Sequence, residues 1–165
     1  MSTTPDWLPS PRARTAIAKR LASAAPAMAT AALNEMTHSF TWVSALEPEY
    51  RSWINVIVRA GVDGFVTWFA EGAQNSGVRN IFESAPRPLQ RQISLQQTLD
   101  LIRNTIATVE EHVSTQMPRG DRAVCKTAIL HYSRELAFDA AQVYAHAAET
   151  RGAWDARVEA MVMDA

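Results

Sequence analysis

Apolar residues recur along the chain at spacings of three and four, and no period-two alternation is sustained, so the pattern predicts helices throughout. Ser10-Pro11 pairs an N-cap with a proline at the first helical position and predicts a helix start. Ile17, Leu21 and Ala24 continue it. Pro26 is expected to end or kink this helix before a second, Ala-rich one bearing Met28, Ala32 and Met36. From His38 to Glu47 the periodicity lapses, which reads as a loop packed by its aromatics. Glu47-Pro48 then opens a helix whose apolar face carries Tyr50, Trp53, Ile54, Ile57, Gly61, Gly64, Phe65 and Trp68, opposite Asn55, Arg59 and Asp63.

Residues 72–77 read as a loop and residues 78–84 as a short helix with Ile81 and Phe82 inward, broken by the prolines at 86 and 88. Ser94-Leu-Gln-Gln97 matches a capping box and starts a long helix whose stripe is Leu95, Leu99, Ile102, Ile106, Val109, Val113 and Met117. After a turn at Met117 to Asp121, the next helix is expected from about Arg122 to about Thr150 with two apolar stripes. One holds Cys125, Ile129, Tyr132, Leu136, Ala140, Val143 and Ala147; the other holds Leu130, Ala137, Ala141, Tyr144 and Ala148, with His131, Glu135, Asp139, Gln142 and His146 on the polar face. Gly152 is a plausible helix stop, beyond which Trp154, Val158, Met161 and Ala165 begin a further stripe that ends without a cap.

Composition sharpens this into a fold class. The chain has 165 residues with 28 Ala but only 6 Gly, so much of its apolar content is the best helix former. The expectation is an all-α, single helical-bundle domain of six to seven helices over residues 10–150, with a globin-like arrangement as one variant. A disordered leader would occupy residues 1–9, and residues 151–165 would start a linker helix to downstream domains that the chain lacks. At this length a core can stabilise the fold without metal or disulfide.

Charge and cysteine content remove several function classes. With 16 Lys plus Arg against 17 Asp plus Glu, the net charge of -1 lacks the basic excess that phosphate-backbone binding needs. The basic cluster Arg12, Arg14, Lys19 and Arg20 lacks interleaved aromatics and reads as a solvated face. A single Cys125 precludes an intrachain disulfide and a multi-cysteine metal site, and fits a cytoplasmic setting. No apolar run approaches the roughly 18 residues of a membrane span, and no secretory leader is evident.

No catalytic constellation emerges. The phosphate-binding loop, dinucleotide fingerprint, HExxH and GxSxG patterns are missing, and Glu110-Glu111-His112 has the wrong spacing for a helical di-iron site. The four histidines are scattered, so no metal and no cofactor are expected, and the chain reads as a non-enzyme. Two features remain. Gly61 and Gly64 interrupt an otherwise bulky stripe, where each costs roughly 1 kcal/mol against Ala; either a neighbouring helix comes close, or they floor a pocket walled by Trp53, Phe65 and Trp68. Arg103 borders the Leu99, Ile102 and Ile106 stripe of the facing helix. It either extends to water or turns inward to meet an anionic ligand, a carboxylate or phosphate whose apolar tail would lie on the glycines. Leu130, Ala137, Ala141 and Tyr144, with Trp154, Val158 and Met161, form surplus apolar faces that predict a homodimer contact.

Three stretches carry a family resemblance: residues 51–61, residues 84–99, and above all Tyr132-Ser-Arg-Glu-Leu-Ala-Phe138 with Val143 to Arg157, which contains Arg-Gly-Ala-Trp-Asp-Ala-Arg. They resemble the N-terminal portion of actinobacterial PucR/CdaR-type transcription regulators, within which the chain is most similar to the FasR/MabR-like regulators of fatty-acid synthase genes. The resemblance spans about residues 10–165. It implies a regulatory and dimerisation domain, responsive to a long-chain acyl-CoA or fatty-acid effector, whose parent binds DNA through a C-terminal helix-turn-helix absent from this chain. It supplies no catalytic residues. The alternative from another class is a stand-alone small helical enzyme or apolar-ligand carrier.

Overall fold

The computed structural model describes residues 4–74, 81 and 86–164. Among these the chain is all-α, with six helices: α1 (Pro11–Ser39), α2 (Thr41–Ala45), α3 (Pro48–Ala70), α4 (Arg87–Gln92), α5 (Leu95–Gln116) and α6 (Arg119–Met163). The expected helix at residues 78–84 lies outside the described residues, apart from Ile81.

Local chemistry sets the helix ends. Ser10 Oγ accepts from the Ala13 amide and Pro11 occupies the first turn. At α5 both halves of the capping box form: the Ser94 hydroxyl accepts from Gln97 N at 3.1 Å, and Gln97 Oε1 accepts from Ser94 N at 2.9 Å. The end of α3 turns through Gly72 at φ +90°, with Ala73 N bonded to the Trp68 carbonyl and Gly72 N to the Phe69 carbonyl. This is a Schellman ending, in which glycine takes the left-handed position without a Cβ penalty.

Two expected breaks are absent. α1 runs through Pro26, whose ring lies on the exposed side, so the Ala22 carbonyl it leaves without a helical donor faces water. Ala25, Met28 and Ala29 are buried on either side and hold both halves in the core. α6 likewise continues through Gly152 to Met163, among the helix-favouring residues Ala148, Ala153, Ala156 and Ala160. The aromatic segment after α1 is also more regular than expected, since Thr41–Ala45 forms a helical turn.

The four long helices close a ring in which α1 packs on α3 and α5, α5 packs on α6, and α6 makes its sparser approach to α3. The main core joins Leu21 and Met28 of α1, Val62 and Phe69 of α3, Val113 of α5, and Cys125 and Ala128 of α6. A second cluster at the other end joins Ala32, Met36, Val43, Ile54, Val58, Leu89, Ile93 and Leu101. Arg20 and Asp121 tie α1 to the start of α6 by a 2.6 Å ion pair. The leader is not loose where it is described: Trp7 stacks on His131 with ring centroids 5.1 Å apart and lies 6.2 Å from Trp68. His131, expected on the polar face of its helix, is half-buried beneath the Trp7 ring.

Beyond the ring, α6 projects. From Ala148 to Met163 every residue is exposed, a helical extension of about 24 Å. Trp154 and Val158 fall within about 20° of Ile129 around the helix axis, so the face that is buried inside the bundle continues past it uncovered.

Candidate functional site

The sparse side of the ring holds a cavity of about 130 Å³ between α3, α5 and α6, closed at one end by α4. Its wall is built from side chains of the two clusters and from those packed against them: Ile57 and Phe65 of α3, Ile102 and Ile106 of α5, and Leu136 and Val143 of α6 among them. Among the described residues no charged one lines it; the polar atoms come from Gln90, Thr98, Thr105, Tyr132, Ser133 and Tyr144. Such a surface suits an apolar guest oriented by a few hydrogen bonds. The volume is on the scale of an apolar protein cavity that accepts a benzene-sized molecule.

The two glycines have different roles. Gly61 lines the cavity, and a Cβ added there would meet nothing within 4 Å. Its carbonyl accepts from the Tyr132 hydroxyl at 3.3 Å. Gly64 instead admits that phenol: a Cβ on Gly64 would lie 2.8 Å from Tyr132 Oη. Close approach of a neighbour and space for a guest therefore both occur, one turn apart.

Of the other expected ligand contacts, Phe65 and Ile106 line the cavity, while Trp53, Trp68, Leu99 and Arg103 do not. Trp68 is buried against Trp7, Phe65 and Tyr132, with the Tyr132 ring 5.3 Å away. Trp53 is half-buried against the second cluster. Arg103 points to solvent with 84% of its side chain exposed and only a 4.0 Å approach to Asp100. The reason is rotational: Leu101 is buried in the second cluster and Ile102 faces the cavity, so the next step of about 100° turns residue 103 outward.

Sequence reasoning missed Tyr144 as a wall residue, having placed it in a dimer stripe. Its hydroxyl donates to the Ile93 carbonyl at 2.7 Å and lies 2.7 Å from Thr98 Oγ1, so it fastens α6 to the start of α5 within the chain. Burial pushes its pKa up, opposed by the Thr98 hydrogen bond. Tyr132 is also raised, by burial first and by the Asp139 carboxylate second. Both phenols are therefore neutral donors at physiological pH. Of the other expected dimer contacts, Leu130 is 66% exposed, Ala137 and Ala141 are half-buried, and Trp154, Val158 and Met161 lie on the projecting end of α6. Phe138, 61% exposed, belongs to neither expected stripe.

A second depression adjoins the first. Arg87, Arg91, Gln142, His146, Thr150 and Arg151 line a polar groove of about 600 Å³ between α4 and α6, and Gln90, Val143 and Tyr144 line both groove and cavity. Among the described residues no group of three or more His, Cys, Asp or Glu is placed to hold a metal ion. No helix among them is long and apolar enough to cross a membrane.

No family model matches the chain. It is similar to uncharacterised proteins of Mycobacterium bovis and of Mycobacterium tuberculosis strains CDC 1551 and H37Rv, each 38% identical over 149 residues. The match covers 89% of this chain and 36% of each relative, so the chain spans about a third of the length of these curated relatives.

Proposed function

We propose that this chain is the regulatory domain of a transcription regulator of fatty-acid biosynthesis genes, a cytoplasmic protein, and that it holds an apolar-tailed effector in the cavity between α3, α5 and α6. The observation that carries the ligand half of this reading is the cavity wall, apolar and, among the described residues, uncharged, with Gly61 leaving open space on it. The regulatory half rests on the resemblance of Tyr132 to Phe138 and of Val143 to Arg157 to PucR/CdaR-type regulators. The longer mycobacterial relatives leave room for domains beyond the matched region.

On this reading the effector is a long-chain acyl-CoA or fatty acid. The cavity in its present form takes a short stretch of such a chain, and a longer tail requires α3 and α6 to part on their sparse side. The domain forms a homodimer through the uncovered face of α6, and it is not an enzyme. DNA is contacted through a helix-turn-helix elsewhere in the parent protein, not by this chain, whose net charge is -1. An apolar-ligand carrier would share the cavity but not the coupling to DNA.

Calorimetric titration with palmitoyl-CoA tests the ligand half. Binding by the wild type that is lost in Gly61→Leu, whose side chain would fill the open space, supports the reading. No heat with the wild type, or equal binding by both, contradicts it. The regulatory half is tested by retention of fatty-acid synthase promoter DNA by the full-length parent with and without palmitoyl-CoA. A change on adding the effector is expected, and indifference to it would place the chain with the carriers.

A further inference from the structure

The anionic contact that an apolar-tailed effector needs is not where the stripes of the sequence suggest, because Arg103 faces solvent away from the cavity. The groove at the cavity's edge offers a replacement. Arg87 and Arg91 stand one helical turn apart on α4, and Arg151 faces the same groove from α6. Among the described residues, none of those lining the groove is a carboxylate. Among the described residues, none of these three guanidinium groups has an ion-pair partner within 4.0 Å. Three unpaired cations thus gather in one depression of a chain whose overall charge is -1. His146 and Thr150, one turn apart on α6, add hydrogen-bonding groups.

The groove adjoins the cavity, and Gln90, Val143 and Tyr144 line both. Among the described residues the two depressions together are therefore amphipathic, uncharged and apolar between α3, α5 and α6, and cationic where α4 meets α6. We propose that the Arg87, Arg91 and Arg151 groove seats a phosphate-bearing head group of the ligand whose tail occupies the cavity. This rests on the cavity reading above and extends it to the head. A single carboxylate would engage at most one guanidinium bidentately, whereas a phosphate carries up to two charges and three terminal oxygens, enough for several arginines at once. The arginines are exposed, so the contact is solvent-screened and weakens with salt.

The test uses three probes against the folded chain: dodecanol, dodecyl phosphate and inorganic phosphate. Dodecyl phosphate is expected to bind about tenfold or more tighter than dodecanol at low ionic strength, with the difference shrinking as salt is raised. Arg87→Ala, Arg91→Ala and Arg151→Ala should each weaken dodecyl phosphate several-fold and leave dodecanol unchanged; as surface substitutions they should not alter the circular dichroism. Weak, salt-sensitive binding of inorganic phosphate, lost in the same variants, also supports the head-group site. If dodecanol binds and dodecyl phosphate binds no tighter, or the arginine variants bind both as the wild type does, the head-group proposal is overturned while the cavity reading stands. If neither amphiphile binds, both fall.

Discussion

The Tyr132 hydroxyl occupies the space that a side chain on Gly64 would need, 2.8 Å from an ideal Cβ there, and donates to the carbonyl of Gly61 one turn away. The ring cannot move aside easily, since it is buried against Phe65 at 5.4 Å and Trp68 at 5.3 Å. Gly64→Ala therefore sets an overpacking cost of about 1–3 kcal/mol against a helix-propensity gain of about 1 kcal/mol. The expected result is net destabilisation on the order of 1 kcal/mol. In a Tyr132→Phe background the nearest remaining Tyr132 atom, Cζ, is 4.0 Å away, and the same substitution should become neutral or stabilising. Denaturant unfolding of the four proteins of this double-mutant cycle measures the coupling. Additivity within about 0.3 kcal/mol would refute the contact.

Gly61 should behave in the opposite way. With nothing within 4 Å of its added Cβ, Gly61→Ala should stabilise the fold by about 0.5–1 kcal/mol through helix propensity alone. A loss of stability would mean that the space beside Gly61 is filled.

Cys125 is fully buried, and burial pushes its thiol up to about 11 from an ordinary 9.0, with the Asp121 carboxylate adding and the Arg20 guanidinium opposing. Because the folded-state value is raised, the neutral thiol's contribution is fully present below about pH 9 and is lost as pH rises through about 11. One pKa unit corresponds to about 1.4 kcal/mol. Wild-type stability should fall across pH 9–10.5 more steeply than that of Cys125→Ala, and the thiol should resist iodoacetamide at pH 8 in the folded protein. Parallel pH profiles or rapid alkylation would argue against its burial.

The projecting end of α6 carries Trp154 and Met161, each 63% exposed, on the continuation of the buried face. Self-association in sedimentation equilibrium is expected, weakened by Trp154→Glu without loss of helical circular dichroism. A wild-type monomer at high micromolar concentration would exclude the dimer.

How much of this was legible follows the range of the interactions. Ser10, Pro11 and the Ser94–Gln97 box act within one turn, so their positions could be read from neighbouring residues. Gly61 and Gly64 were legible as anomalies, because glycine in an apolar helical stripe must be offset by something elsewhere. Which of the two met a neighbour and which faced space was not, since that depends on Tyr132, about 70 residues on, in another helix. The same long-range dependence hid the docking of Trp7 on His131 and the inward turn of Tyr144. On α3 the expected stripe captured the cavity-facing edge, but the buried face also takes in Val58, Val62, Val66 and Phe69. Those residues were passed over because α3 packs on α1 as well as bordering the cavity, and one helical period cannot describe two contacts. The Arg87, Arg91 and Arg151 groove joins residues about 60 apart; the spacing along α4 alone gave no sign of the third arginine.

Isotope-filtered NMR on the methyl-labelled chain with dodecanoate shows whether an apolar tail lies between α3, α5 and α6. Cross-peaks are expected from the ligand methylenes to the methyls of Ile57, Val62, Ile106 and Ile129, all on the cavity wall. Cross-peaks confined to Val158 and Met161 on the exposed end of α6, or none at all, would contradict that placement.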